Sequence, residues 1–244
     1  MSFKDIFNID AEVKESAHAR VNLIGEHTDY TGGYVMPTLL SFKNTIEISQ
    51  NNSNEFTVYS QHFKEKKTFN DFKKSINNEW VDYIKGCLHI FFDENKISSR
   101  FLNIFIASDI PLERGISSSS ALCVATLKAL NTFFETKIKD PEIAKLAKKV
   151  EFNYIGVSGG IMDQMVSSIG IHGKAFFMNC KNLEYELINF PENWKFCLID
   201  SEVQRNLRDS SYNERFAELQ EAEKKLGVEY LGEVKKENFQ TNKF

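Results

Sequence analysis

The stretch FLNIFIASDIPLERGISSSSALCVATLKALNTFF, residues 101–134, decides the fold. At its start Leu102, Ile104 and Ile106 alternate with Phe101, Asn103 and Phe105, the period-two pattern of a strand over Phe101–Ala107. At its end Ala121–Phe134 carries apolar residues at helical spacing. Between them, Asp109–Ala121 holds Gly115 and the run Ser117, Ser118, Ser119 and Ser120. Strand, glycine turn and helix start together suit a phosphate, because unpaired N–H groups and the positive end of the helix dipole face the anion. The serine hydroxyls can hydrogen-bond phosphate oxygens or ligate Mg²⁺. No Gly-Lys-Ser/Thr is present, so this is not a Walker A loop. The segment reads equally well as an ordinary serine cap before an amphipathic helix, since serine is among the commonest N-cap residues.

Outward from this unit, strand-like runs appear at Phe42–Ser49, Phe56–Ser60, Ala175–Asn179 and Phe196–Asp200. Helical periodicity marks Trp80–Asp93 and Pro141–Tyr154, the latter opened by an Asp140-Pro141 cap and first-turn signal. A later helix places Tyr212, Phe216, Leu219 and Leu226 on one stripe. Strands and helices interleave without a steady βαβ rhythm, which predicts an α+β fold on a mixed sheet.

The chain has 244 residues, 42% hydrophobic and 26% charged, enough to bury a sizeable core and too apolar for a disordered class. A net charge of −4 argues against a protein held on nucleic acid by bulk electrostatics. No stretch approaches the ~20 apolar residues needed to span a bilayer. The N-terminal MSFKDIFNIDAEVKE has no signal-peptide core, so a soluble cytoplasmic protein is expected. Cys87, Cys123, Cys180 and Cys197 lack CxxC pairing and sit among apolar residues, which predicts buried free thiols in a reducing compartment.

Seven glycines gather in three polar segments, the first being the serine loop. The second is Arg20–Gly33 (RVNLIGEHTDYTGG), where Glu26, His27 and Asp29 crowd together. Clustered acceptors suit a polyhydroxylated ligand, because one carboxylate can accept from two adjacent hydroxyls. A solvated turn is the competing reading, as Asp, Thr and Gly favour turns. The third starts at Gly156 and holds Gly159–Val166 (GGIMDQMV), where Asp163 stands alone among apolar neighbours. It is either the cap of a short helix or a functional carboxylate.

In this order the segments resemble the galactokinases, within the superfamily of galactokinase, homoserine, mevalonate and phosphomevalonate kinases. Arg20–Pro37 (RVNLIGEHTDYTGGYVMP) resembles the galactokinase sugar signature, and Ile110–Leu122 the superfamily's phosphate loop. Glu151–Gln164 (EFNYIGVSGGIMDQ) is similar to the segment carrying the catalytic aspartate, and Ser210–Arg215 to a later sugar-contacting segment. The resemblance implies a Mg²⁺-dependent transfer from ATP to the C1 hydroxyl of galactose. Asp163 would accept the hydroxyl's proton, with Arg20 beside it favouring the developing alkoxide. Glu26, His27, Asp29, Gly160 and Tyr212 would grip the sugar. Gly115, Ser117, Ser118 and Ser119 would line the triphosphate, and Ser119 with Glu151 would hold Mg²⁺. N-acetylgalactosamine is the alternative sugar, since its kinases share the signature. A non-catalytic sugar-binding sensor or an inactive fragment are the other readings.

Departures from the family pattern are Ala17-His18-Ala19-Arg20 in place of Ala-Pro-Gly-Arg, and Glu113 and Arg114 where the phosphate loop prefers small residues. Arg114 is expected to offset the Glu113 carboxylate locally. The superfamily's third, glycine-rich motif is absent. The expected organisation is a sugar- and ATP-binding domain over residues 1–195, with 196–244 as the start of a truncated C-terminal domain.

Overall fold

The alternating run at residues 101–107 becomes a strand inside one continuous sheet. The computed structural model describes residues 1–76, 79–111, 114–200 and 210–235, the side chains of 210–212 excepted. In chain order the elements are α1 (Phe3–Phe7), β1 (Val13–Asn22), β2 (Tyr34–Val35), β3 (Pro37–Gln50), β4 (Phe56–Ser60), β5 (Glu65–Phe69), α2 (Val81–Asn95) and β6 (Leu102–Ser108). They continue with α3 (Ser118–Phe133), α4 (Asp140–Lys149), a π-helical turn (Val150–Ile155), α5 (Met162–Ile169), β7 (Lys174–Asn179), β8 (Tyr185–Asn189), α6 (Ser210–Leu226) and a 3₁₀ turn (Leu231–Glu233).

The sheet runs β2-β7-β3-β6-β4-β5, with β1 also paired to β3 and β8 to β7. Its long strand β3 pairs antiparallel with β6, Ile46 opposite Ile106 and Ile48 opposite Ile104. β4 lies parallel to β6, Val58 beside Ile104, with β5 and α2 in the connection between them. One parallel pair among antiparallel ones makes the sheet mixed, as its sequence pattern predicts.

One face of the sheet carries Ile46, Ile48, Phe56, Val58 and Ile104 into a core shared with Ile84, Leu88 and Phe91 of α2 and Leu127 and Leu130 of α3. On the other face, Tyr59 and Phe105 are covered by Phe3 of α1. With both faces covered, all five residues of β4 are buried, Thr57 and Ser60 included. A second cluster joins Met165 and Val166 of α5 to Phe176 and Met178 of β7.

Three sequence expectations need correction. The Pro141–Tyr154 helix is two elements, because the chain widens into a π-helical turn at Val150. Phe196–Asp200 is not a strand. A strand is a pairing rather than a local conformation, and this segment has no ladder partner among the described residues. Its apolar side chains stay in solvent, Ile199 at 87% exposure. Cys87, Cys123 and Cys180 are buried free thiols, whereas Cys197, in that same segment, is exposed.

Candidate active site

Arg20 stands at the end of a bulge. The β1–β3 register jumps from His18 opposite Lys43 to Arg20 opposite Leu39, so three residues of β3 oppose Ala19 alone. Bulges bend a strand and re-aim its side chains. Here the bend sends the Arg20 guanidinium across to α5, with Nε and Nη2 donating to the two carboxylate oxygens of Asp163 at 2.7 and 2.8 Å. Nη1 donates to the Gly115 carbonyl at 2.9 Å, and the Arg20 backbone N–H donates to the Ile116 carbonyl at 3.2 Å. One strand arginine thus ties the serine loop to the first turn of α5. The two side chains are 14% and 25% exposed, so this bidentate pair is shielded rather than superficial.

Asp163 lies in the first turn of α5, where the helix dipole favours negative charge. It does not cap that helix: the N-cap is Ile161, with no side-chain cap bond. Its carboxylate is taken instead by Arg20 and by the Ser117 hydroxyl, which donates to Oδ2. The capping reading of the serine loop falls for the same reason. Ser117 occupies the cap position of α3 in a left-handed conformation, φ +61°, and makes no cap bond. Among the described residues no side chain caps the first-turn N–H groups of α3.

The remaining serines divide between two tasks. The Ser118 carbonyl accepts from Asn44 Nδ2 at 3.0 Å, while the Ser119 and Ser120 hydroxyls donate to Oε1 and Oε2 of Glu151, each at 2.8 Å. Gly115 turns the loop with φ +69°, and Ile116 anchors it in a small core with Ala19, Ile110 and Ala121. Arg114 pairs with Asp200 at 2.9 Å, and Glu113 lies outside the described residues.

Glu151 projects from the π-helical turn into a buried position, an element frequent at functional sites. Gln164 Nε2 donates to its Oε2 alongside Ser120. Burial pushes the Glu151 carboxyl upward in pKa, and the three hydrogen bonds pull it back. Among the described residues no Lys or Arg pairs with it.

The polar loop at 26–33 is a turn, as one of its two readings holds, but its Asp29 is partly withdrawn from solvent. The Asp29 carboxylate lies directly over Gly160, where a Cβ would collide with it, so glycine is required by close approach. Burial first, and then the nearby Asp163, raise its pKa to about 6, against the pull of Arg20 and Lys148. Glu26 is exposed and accepts from Asn22 Nδ2 at 3.0 Å. His27 is exposed with φ +63°, its Nδ1 in hydrogen-bond contact with the Tyr30 hydroxyl. Thr28 Oγ1 fastens the loop to the Gly25 and Tyr34 carbonyls at 2.8 and 2.7 Å.

The chain beyond residue 209 closes on this loop. The Tyr230 ring covers Gly32, where a Cβ would meet it at 2.6 Å, and the Gly232 N–H donates to the Thr31 carbonyl at 2.9 Å. Phe216 of α6 packs on Tyr30, ring centroids 5.5 Å apart. Tyr212 is in the first turn of that helix, and its side chain lies outside the described residues.

The structure therefore gathers Arg20, Gly115, Ser117, Asp29, Gly160 and Asp163 into one centre and Ser119 with Glu151 into an adjoining one. Ser120 and Gln164, given no individual role by the sequence reading, complete the second. Their only sequence signal is adjacency, to Ser119 in the serine run and to Asp163 in the third segment.

Residues 82–170 match the GHMP kinases N terminal domain, and residues 1–50 match the galactokinase galactose-binding signature. The chain is 35% identical over 229 residues to a galactokinase of Thermotoga petrophila, covering 93% of this chain and 64% of that protein. It is 36% identical over 225 residues to one of Pyrococcus furiosus, covering 92% and 63% respectively. A crystal structure of Lactococcus lactis galactokinase complexed with galactose superposes with a TM-score of 0.86 at 31% identity, over 98% of this chain and 64% of that one. The chain thus spans a little under two thirds of the length of these relatives.

Proposed function

We propose that this chain, which belongs to the galactokinase family, transfers the γ-phosphoryl group of ATP to the C1 hydroxyl of galactose. The observation carrying the proposal is the Arg20–Asp163 fork with the Ser117 hydroxyl on the same carboxylate. It joins the sugar signature, the phosphate loop and the third segment at one point, where sugar hydroxyl and γ-phosphate would have to meet.

Phosphoryl transfer asks a protein for positioning and charge neutralisation more than for covalent chemistry. In this reading Asp163 orients the attacking hydroxyl and accepts its proton at a carboxylate oxygen, and Arg20 compensates the charge building between the reactants. Asp29, Glu26, His27, Gly160 and Tyr212 hold the other hydroxyls, Gly160 leaving room for the Asp29 carboxylate to lie against its backbone. The start of α3 with Gly115, Ser117 and Ser118 takes the phosphates on N–H and hydroxyl donors. Recognition of particular hydroxyls discriminates between sugars, since a site left with an unpaired polar group rejects the analogue lacking that hydroxyl.

The pair Ser119 and Glu151 fits Mg²⁺. It offers one hydroxyl and one buried carboxylate, both hard oxygen donors, and no side-chain cation competes for that carboxylate among the described residues. A two-ligand set suits a magnesium ion that keeps its waters and phosphate oxygens, and no group of three His, Cys, Asp or Glu gathers among the described residues. When bound, the ion neutralises charge on the phosphates.

Residues 1–195 are read as the sugar- and ATP-binding domain and 196–244 as the first elements of a second. The buried free thiols support a reducing, cytoplasmic setting, and no described helix is long and apolar enough to cross a membrane.

The test is ATP consumption against a panel of hexoses and N-acetylgalactosamine, comparing wild type with Asp163→Ala. Galactose-dependent ADP release that disappears in the variant is expected. Release no greater in the wild type than in Asp163→Ala refutes the proposal.

A further inference from the structure

Two consecutive residues in the first turn of α5 face two different carboxylate centres. Asp163 meets Arg20, while Gln164 points to Glu151, whose Oε2 it holds together with Ser120. Glu151 is thereby divided. Its Oε2 is held by two buried donors, and among the described residues its Oε1 has only the Ser119 hydroxyl of the serine loop.

Gln164 is itself 5% exposed, and its own amide oxygen, Oε1, is buried with no hydrogen-bond partner among the described residues. The amide cannot turn over to relieve this without aiming that oxygen at a carboxylate, and an ionised carboxylate accepts only. For stability alone, an apolar side chain of similar volume would avoid the orphaned oxygen. The group the site uses is therefore the amide N–H, and what it does is fix one oxygen of Glu151.

We infer that Gln164, supported by Ser120, is the positioning residue of the cation site, clamping Oε2 of Glu151 so that Oε1 and the Ser119 hydroxyl stay available to a divalent ion carried by a nucleotide. The inference rests on the kinase reading above. Partners that orient a metal-binding carboxylate, without touching the metal, set its affinity by roughly 10–100-fold. Because Gln164 follows Asp163 on the same turn, the two centres are also held in register by one short helix.

The test measures binding, not turnover, with Mn²⁺ as the probe and its free concentration read by electron paramagnetic resonance. Wild type, Gln164→Met and Ser120→Ala are titrated with Mn²⁺ and a non-hydrolysable ATP analogue, and separately, by calorimetry, with the analogue in excess chelator and with galactose. Gln164→Met is expected to weaken Mn²⁺–nucleotide binding roughly tenfold or more, Ser120→Ala to weaken it in the same direction, and neither to change metal-free nucleotide or galactose affinity. Unchanged Mn²⁺–nucleotide binding in both variants overturns the inference and leaves the kinase reading standing. Equal loss of metal-free and metal-bound nucleotide affinity makes Gln164 structural only and also overturns it. A wild type that binds no nucleotide under any condition removes the kinase reading, and the inference with it.

Discussion

Asp29 holds a carboxylate where a neutral group would be more stable. It is desolvated over Gly160, faces Asp163, and has its pKa lifted to about 6. A carboxyl whose folded pKa is raised binds its proton more tightly folded than unfolded, so folding stability falls as pH rises from about 4, the unfolded value, through about 6. Fully developed above pH 6, this penalty is about 2–3 kcal/mol once partial solvent access is allowed for. Asp29→Asn removes the charge and keeps the shape. In sugar-free chemical denaturation the variant is expected to match wild type near pH 4 and to exceed it by about 2 kcal/mol at pH 7.5. The same substitution is expected to weaken galactose binding, because one of two carboxylate acceptors is lost. In wild type, sugar affinity should fall below about pH 6 as Asp29 takes up its proton. A stability difference that stays constant between pH 4 and 7.5, or a variant less stable at both, refutes the reasoning.

Gly160→Ala drives a methyl into the Asp29 carboxylate, and the expected outcome is a loss of galactose affinity with nucleotide affinity retained, read by calorimetry for each ligand. Arg20→Lys keeps the charge but loses the fork onto Asp163 and the bond to Gly115, so kcat is expected to fall by roughly 100-fold with a much smaller change in KM. An unchanged kcat in Arg20→Lys would mean that the planar geometry of the pair is not used.

The serine loop and the sugar signature illustrate how a local signal can be right about residues and silent about their partners. Ser117, Ser119 and Asp163 are conspicuous in sequence, yet each reads locally as a helix cap, and only the fold sends their oxygens elsewhere. Gln164 was illegible because its importance lies in burial and in a bond to a residue on another element, and neither leaves a trace in spacing. The strand expected at Phe196–Asp200 failed for a related reason. Its apolar pattern is real, but a strand needs a partner, and no strand of the described chain pairs with it.

By itself the sequence determined the mixed α+β class, the strand–loop–helix unit at 101–134, and the three polar segments from which the site is built. Those features follow from side-chain periodicity and glycine placement, which are properties of the local chain. The tertiary structure alone decided that the β1 bulge aims Arg20 at Asp163, that Glu151 is buried and held by Ser119, Ser120 and Gln164, and that Asp29 is desolvated over Gly160. These are contacts between residues far apart in the chain, and the strength of a carboxylate's interactions depends on the dielectric around it, which exists only after the chain has folded.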